Sequence, residues 1–206
     1  VLLDRLLDRA ALELLPFGVC DVRRGVRIEF APSSEAHLYC VLRGHGALRT
    51  GLGFAAEVAA STIAIVPAGT AHLLEPSGGS ARVISLRTLN TSVRLPTVIA
   101  GDGAPGLVVI CARLRGAGES QTALEAIFAP LVLDLSDSAS AAPAFAALLA
   151  EHEGHFAGQR RMSELLMFQC LIHLLRERPE LWNVSAPNIA TERTTAVALK
   201  APRSAR

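Results

Sequence analysis

The chain has 206 residues, 50% of them hydrophobic and 19% charged, with a formal net charge of +1. That much apolar side chain excludes a disordered chain, and 20 basic against 19 acidic residues leave no bulk positive field to hold nucleic acid. The length suits one large domain, alone or with an appendage, and aromatics at 4% leave the core to aliphatic side chains.

Apolar residues at 2, 3, 6, 7, 10, 11, 14 and 15 follow the spacing of an amphipathic helix, predicted over residues 1–16. Asp4, Arg5, Asp8 and Arg9 fall between the apolar pairs, and Pro16-Phe17-Gly18 ends the pattern. Acidic residues in this stretch also argue against a secretory leader. From residue 17 to 116 the signature changes to short runs rich in β-branched and alternating residues. Examples are Val26 to Phe30, Leu38 to Leu42, Thr62 to Val66, Arg82 to Leu86 and Leu107 to Cys111. Turn residues divide them: Gly44-His45-Gly46, Gly51-Leu52-Gly53, Pro67-Ala68-Gly69, Pro76 to Gly79 and Gly101-Asp102-Gly103. Many short strands with no intervening helical pattern predict an all-β sandwich or barrel rather than a parallel βαβ sheet. Residues 87–106 have no clear pattern.

After residue 117 the pattern turns helical up to about residue 180. A short helix is predicted over Gln121 to Phe128, followed by Pro130 and the apolar run Leu131-Val132-Leu133. Ser138 or Ser140 then caps a helix with Pro143 in its first turn, and a second helix runs from near Gly158 to Arg176. Met162, Leu165, Leu166, Phe168, Ile172 and Leu175 share one side of it. Met167, Leu171 and Leu174 widen the apolar surface, so two buried faces are expected. Residues 181–206 lack periodicity and are predicted to be a flexible tail.

Four cysteines at 20, 40, 111 and 170 form no Cys-x-x-Cys pair and are expected as reduced thiols in apolar surroundings. No apolar stretch reaches the roughly 18 residues needed to cross a bilayer. The expected compartment is the cytoplasm, without membrane contact. Phosphate-binding loops, a nucleophile elbow and a paired-carboxylate signature are all missing from the sequence.

The most informative stretch runs from Ser61 to His72. A buried strand enters Pro67-Ala68-Gly69, where proline fixes φ and glycine supplies a positive one, and His72 opens the next strand. Upstream, Leu38 to Leu48 forms a second strand-turn-strand unit around Gly44-His45-Gly46. These two units resemble the two cupin motifs in order and separation. With Ile127 to Leu135 and Arg161 to Leu171, they are most similar to the N-terminal cupin domain of AraC-type transcription regulators, over roughly residues 15–180. The resemblance implies a mainly β fold with appended α: a cupin-type jelly-roll β-barrel over 17–116, followed by an α-helical hairpin in 117–180. It further implies a barrel that senses a small-molecule effector and a homodimer formed through residues 144–176. The family's helix-turn-helix domain has no counterpart in this chain, so no direct DNA binding by the chain alone is expected.

Many cupins hold a metal ion with three His and one Glu. Counting back from Gly44, the first two His positions fall on Ala31 and Ser33 and the Glu position on His37, and only His72 stands in its place. His37 and His72, helped by Glu35, are the remaining candidates for a metal, and imidazole with carboxylate suits iron, manganese or nickel. No metal or other cofactor is expected to be required, and no catalytic residue is assigned. A small cupin enzyme with a divergent metal site is the alternative reading, and a barrel serving only as scaffold is a third. Strand parity assigns His37, Tyr39, His72 and Leu74 to the lining of the effector cavity, with Arg43 or Arg49 as anion contacts. His45 is expected as an exposed turn residue, and His152 and His155 as part of a solvated helix face.

Overall fold

The computed structural model describes residues 12–51, 53–86, 95–117, 130–154 and 156–177. Ten strands come first: β1 (Leu12–Val22), β2 (Gly25–Phe30), β3 (Ala36–Thr50), β4 (Ala55–Ala59), β5 (Thr62–Val66), β6 (His72–Pro76), β7 (Ser80–Leu86), β8 (Thr97–Ala100), β9 (Leu107–Gly116) and β10 (Leu131–Asp134). Two helices follow, α1 (Ala142–Gly154) and α2 (Gln159–Glu177).

The strands form a nearly closed barrel of two sheets that share β3. One sheet runs β8-β1-β9-β3-β5-β10 and the other β4-β3-β6-β2-β7. Pairing is antiparallel except for β1 with β8 and β2 with β7. The expected jelly-roll barrel is therefore present, and two cores follow from it. Phe17, Cys20, Ile28, Phe30, Tyr39, Leu48, Leu74, Leu107 and Cys111 fill the space between the sheets. Leu14, Leu38, Cys40, Ile63, Ile110 and Leu114 line the outer face of the first sheet, where Leu148, Met167, Cys170, Leu171 and Leu174 of the helices cover them. With roughly 1.5–3 kcal/mol per fully buried large apolar side chain, both faces of the first sheet contribute strongly to folding.

The fold corrects three readings of the sequence. Residues 12–16 are the start of β1, not the end of a helix, while residues 1–11 lie outside the described residues. A strand covered on both faces places apolar side chains in doublets such as Leu14-Leu15, and these mimic helical spacing. Pro16 is tolerated because it opposes only β9, at a register shift next to Gly18. Second, Gly44-His45-Gly46 is not a turn: β3 runs through it and passes from one sheet to the other. Gly44 takes φ 84°, and a Cβ there would strike the Gly106 carbonyl, so glycine is required where the strands cross. Third, Leu131-Val132-Leu133 belongs to a strand, β10, paired with β5, rather than to the helical segment.

The two helices lie where the pattern predicts, with Pro143 in the first turn of α1. The backbone carbonyl of Ser138 accepts from Ala141 and Ala142, while the Ser140 hydroxyl lies 3.2 Å from His173 Nδ1. The expected helix at 121–128, the tail at 181–206, His155 and residues 87–94 lie outside the described residues. All four cysteines are buried free thiols, and Cys20 and Cys111 sit sulfur to sulfur at 3.7 Å.

Ser61, in the β4–β5 turn, has φ 68°, a left-handed conformation that L side chains resist. Ser61→Gly is expected to raise stability by about 0.5–1 kcal/mol. Chemical denaturation checks it, and an unchanged or lowered midpoint would show that the turn carries no strain.

Candidate functional site

The Pro67-Ala68-Gly69-Thr70 turn sets the site. Thr70 N–H returns to the Pro67 carbonyl at 3.3 Å, and Gly69, at φ 77°, donates to the Ser33 carbonyl at 2.7 Å. This fixes the Thr70 carbonyl beneath His72, whose Nδ1 lies 2.9 Å from it. His72 stands between Phe30 on β2 and Thr50 on β3 in the second sheet. Because Phe30 is its direct cross-strand partner, the two rings stack, with centroids 5.0 Å apart and 11° between planes.

Across the lumen, β3 in the first sheet presents His37 and Tyr39. The Tyr39 hydroxyl bonds to His72 Nε2, and His37 Nδ1 lies 3.0 Å from the same hydroxyl. The three side chains are buried at 8%, 1% and 5% exposure for His37, Tyr39 and His72. Tyr39 thus ties one sheet to the other through a polar contact inside an apolar container. Phe17 and Phe30 flank His37 at ring distances of 5.6 and 6.1 Å.

The chemistry gives this chain a direction. Burial pushes the His37 pKa down to about 4, helped by the neighbouring His72 and Arg113 and opposed by Glu35. Burial also lowers His72, against the favourable Thr70 carbonyl, and pushes the Tyr39 phenol well above its ordinary range. At neutral pH both imidazoles are neutral and the phenol is protonated. A carbonyl only accepts, so His72 Nδ1 carries the hydrogen and its Nε2 accepts from the Tyr39 hydroxyl. The Tyr39 oxygen then accepts from His37 Nδ1–H, which leaves His37 Nε2 as a bare acceptor at the end of the series.

Of the side chains assigned from strand parity, His37, Tyr39, His72 and Leu74 lie inside the barrel, Leu74 in its apolar packing. Arg43 and Arg49 do not, which corrects that assignment. The register shift between Val41 and Arg43 reverses the alternation, so Arg43 emerges on the helix side and pairs with Glu153 of α1. Leu48 then points inward, and Arg49 turns outward to Glu75 at 2.6 Å. His45 is exposed, though within β3. Glu35 is held by Arg113 at 3.1 Å and Arg115 at 2.7 Å rather than joining the imidazoles. Among the described residues no three His, Cys, Asp or Glu side chains gather in a way that could hold a metal ion. Parity along β2 (Val26, Ile28, Phe30) and β9 (Val109, Cys111, Arg113) was the signal for Phe30 and Arg113, which the sequence reading did not single out.

A nearly closed two-sheet barrel with a small polar cluster inside its apolar lumen defines the jelly-roll class of fold. Residues 2–178 match a family model described as Cupin, that of the AraC-type cupin domain. The chain belongs to the cupin family. No curated protein sequence matches it. Among solved structures it is similar to apo ToxT from Vibrio cholerae, with 10% identity and a TM-score of 0.44 over 86% of this chain and 60% of that one. Unsaturated fatty acid-bound ToxT from the same organism gives 10% identity and 0.39, over 82% and 56%. A predicted oxalate decarboxylase from Thermotoga maritima gives 13% and 0.27, over 55% and 74%. The chain therefore spans less than two thirds of the ToxT chains it matches.

Proposed function

We propose that this chain is the effector-sensing and dimerisation domain of an AraC-type transcription regulator, acting in the cytoplasm and binding no DNA on its own. The observation that carries the reading is the Tyr39–His72 bond across the lumen, together with what lies behind it. Tyr39 points into the barrel, while its neighbours Leu38 and Cys40 join the outer core that holds α2. Cys40 and Cys170 of that helix belong to the same buried cluster. A ligand that competes for the lumen groups therefore acts on the strand that seats the helices. Such coupling requires the effector to bind two states with different affinity. Met162 and Leu165 of α2, 44% and 53% exposed, lie within the segment 144–176 proposed to pair two copies. No helix among the described residues is long and apolar enough to cross a membrane.

The test is a thermal-shift screen of small molecules against the purified chain, repeated with Tyr39→Phe. Compounds that raise the melting temperature of the wild type and not of the variant support a lumen sensor. Stoichiometric iron, manganese or nickel on the purified chain would instead favour the enzyme alternative. A sedimentation mass of one chain at micromolar concentration overturns the dimer, and a salt-dependent shift of specific duplex DNA overturns the claim that the chain alone is silent on DNA.

A further inference from the structure

At one end of the barrel two polar atoms are left over. Arg113 on β9 is the direct cross-strand partner of His37 on β3, and it shares the inward parity of Val109 and Cys111. Its Nε is closed off from solvent and has no hydrogen-bond partner among the described residues. His37 Nδ1 is engaged by Tyr39, which leaves Nε2 as the second polar atom of that ring. A buried donor without an acceptor and a ring acceptor thus belong to facing positions of β9 and β3, and a buried donor left unpaired is costly enough to need an explanation.

We propose that this pair is the polar anchor of the effector site and that it takes an uncharged ligand carrying a donor beside an acceptor, a carboxamide or hydroxy-carbonyl group, on an apolar body. The inference rests on the sensor reading and names the ligand class for the same lumen. Arg113 Nε–H donates to the ligand oxygen, and His37 Nε2 accepts from its N–H or O–H. The apolar body meets Phe17 and Phe30, whose rings flank His37.

Charge decides against a carboxylate. Arg113 and Arg115 face Glu35, and Arg115 also faces Glu13 at 3.5 Å, so two cations are matched by two carboxylates. An anion entering here would have to displace Glu35, and it would present a second lone pair, not a hydrogen, to His37 Nε2. Arg113 keeps 24% of its side chain exposed, so the anchor is approached from the barrel mouth rather than through the packed lumen.

Three probes of one shape test this by calorimetry and thermal shift on the whole chain: benzamide (donor and acceptor, neutral), N,N-dimethylbenzamide (acceptor only, neutral) and benzoate (acceptor only, anionic). Benzamide is expected to bind with a Kd of about 1 mM or tighter, the range open to so small a ligand, and at least tenfold more tightly than either other probe. Arg113→Lys, which keeps the charge and removes Nε, is expected to erase that preference, while Arg115→Lys keeps it. The three-probe comparison needs no variant, so a poorly folded Arg113→Lys does not block the test. Equal binding of the three, or none, overturns the donor–acceptor anchor. If none binds while other screened compounds stabilise the wild type and not Tyr39→Phe, the ligand class falls and the sensor reading stands. If no compound binds at all, both fall.

Discussion

Tyr39→Phe is expected to destabilise the chain by about 2–4 kcal/mol, although it removes one oxygen and leaves the ring in place. The hydroxyl is the joint between His37 Nδ1 and His72 Nε2, in the interior of the barrel. Its loss strands two buried ring nitrogens, each costing about 1–3 kcal/mol when unpaired. The double variant Tyr39→Phe with His72→Phe is expected to recover part of the loss, because removing both partners of a buried contact is cheaper than removing one. Urea denaturation of the wild type and the three variants completes the cycle. A Tyr39→Phe loss below about 1 kcal/mol would mean that water reaches the ring nitrogens and that the link between the sheets carries little.

Acid is expected to unfold the protein through the same cluster. The His37 pKa is about 4 in the folded chain against an ordinary 6.5 in the unfolded one. Between those values the unfolded state holds a proton that the folded state lacks, so stability falls as pH falls. The contribution is intact above pH 6.5 and is lost on the way down to about 4, for a total of about 3 kcal/mol. His72, also lowered by burial, works in the same direction. Carboxylates titrate near the lower end of this window, so the measurement is the difference between wild type and His37→Gln across pH 7 to 4. The expected result is a gap that changes steadily with pH by about one proton. A constant gap would show that His37 is not held neutral by burial.

The barrel was legible because turn chemistry and strand chemistry are local. Pro67-Ala68-Gly69 announces its turn without help from the rest of the chain, and the placement of His72 follows three residues later. Tyr39 and His37 followed from alternation along one strand. Arg43 and Arg49 failed because alternation holds only as far as the next irregularity. One extra residue near Leu42 reverses the facing of every later side chain in β3. The helix expected over residues 1–16 failed at residues 12–16 for another reason, since a strand buried on both sides loses the polar beats that mark it as a strand. Arg113 shares the parity of Val109 and Cys111, but an arginine after Cys111-Ala112 reads as a solvated strand end until the strand beside it is known.

The sequence by itself therefore determined the class of fold, the turn that presents His72 and the existence of two helices after the barrel. Those depend on backbone preferences and apolar spacing, which act over a few residues. Tertiary structure alone decided that Tyr39 reaches His72 from the opposite sheet and that β3 serves both sheets. It alone decided that Arg113 stands beside His37 and that Arg43 belongs to the helices. Each of these is a contact between residues far apart in the chain, set by strand register and by where β3 breaks step, and neither is written into the residues that make the contact.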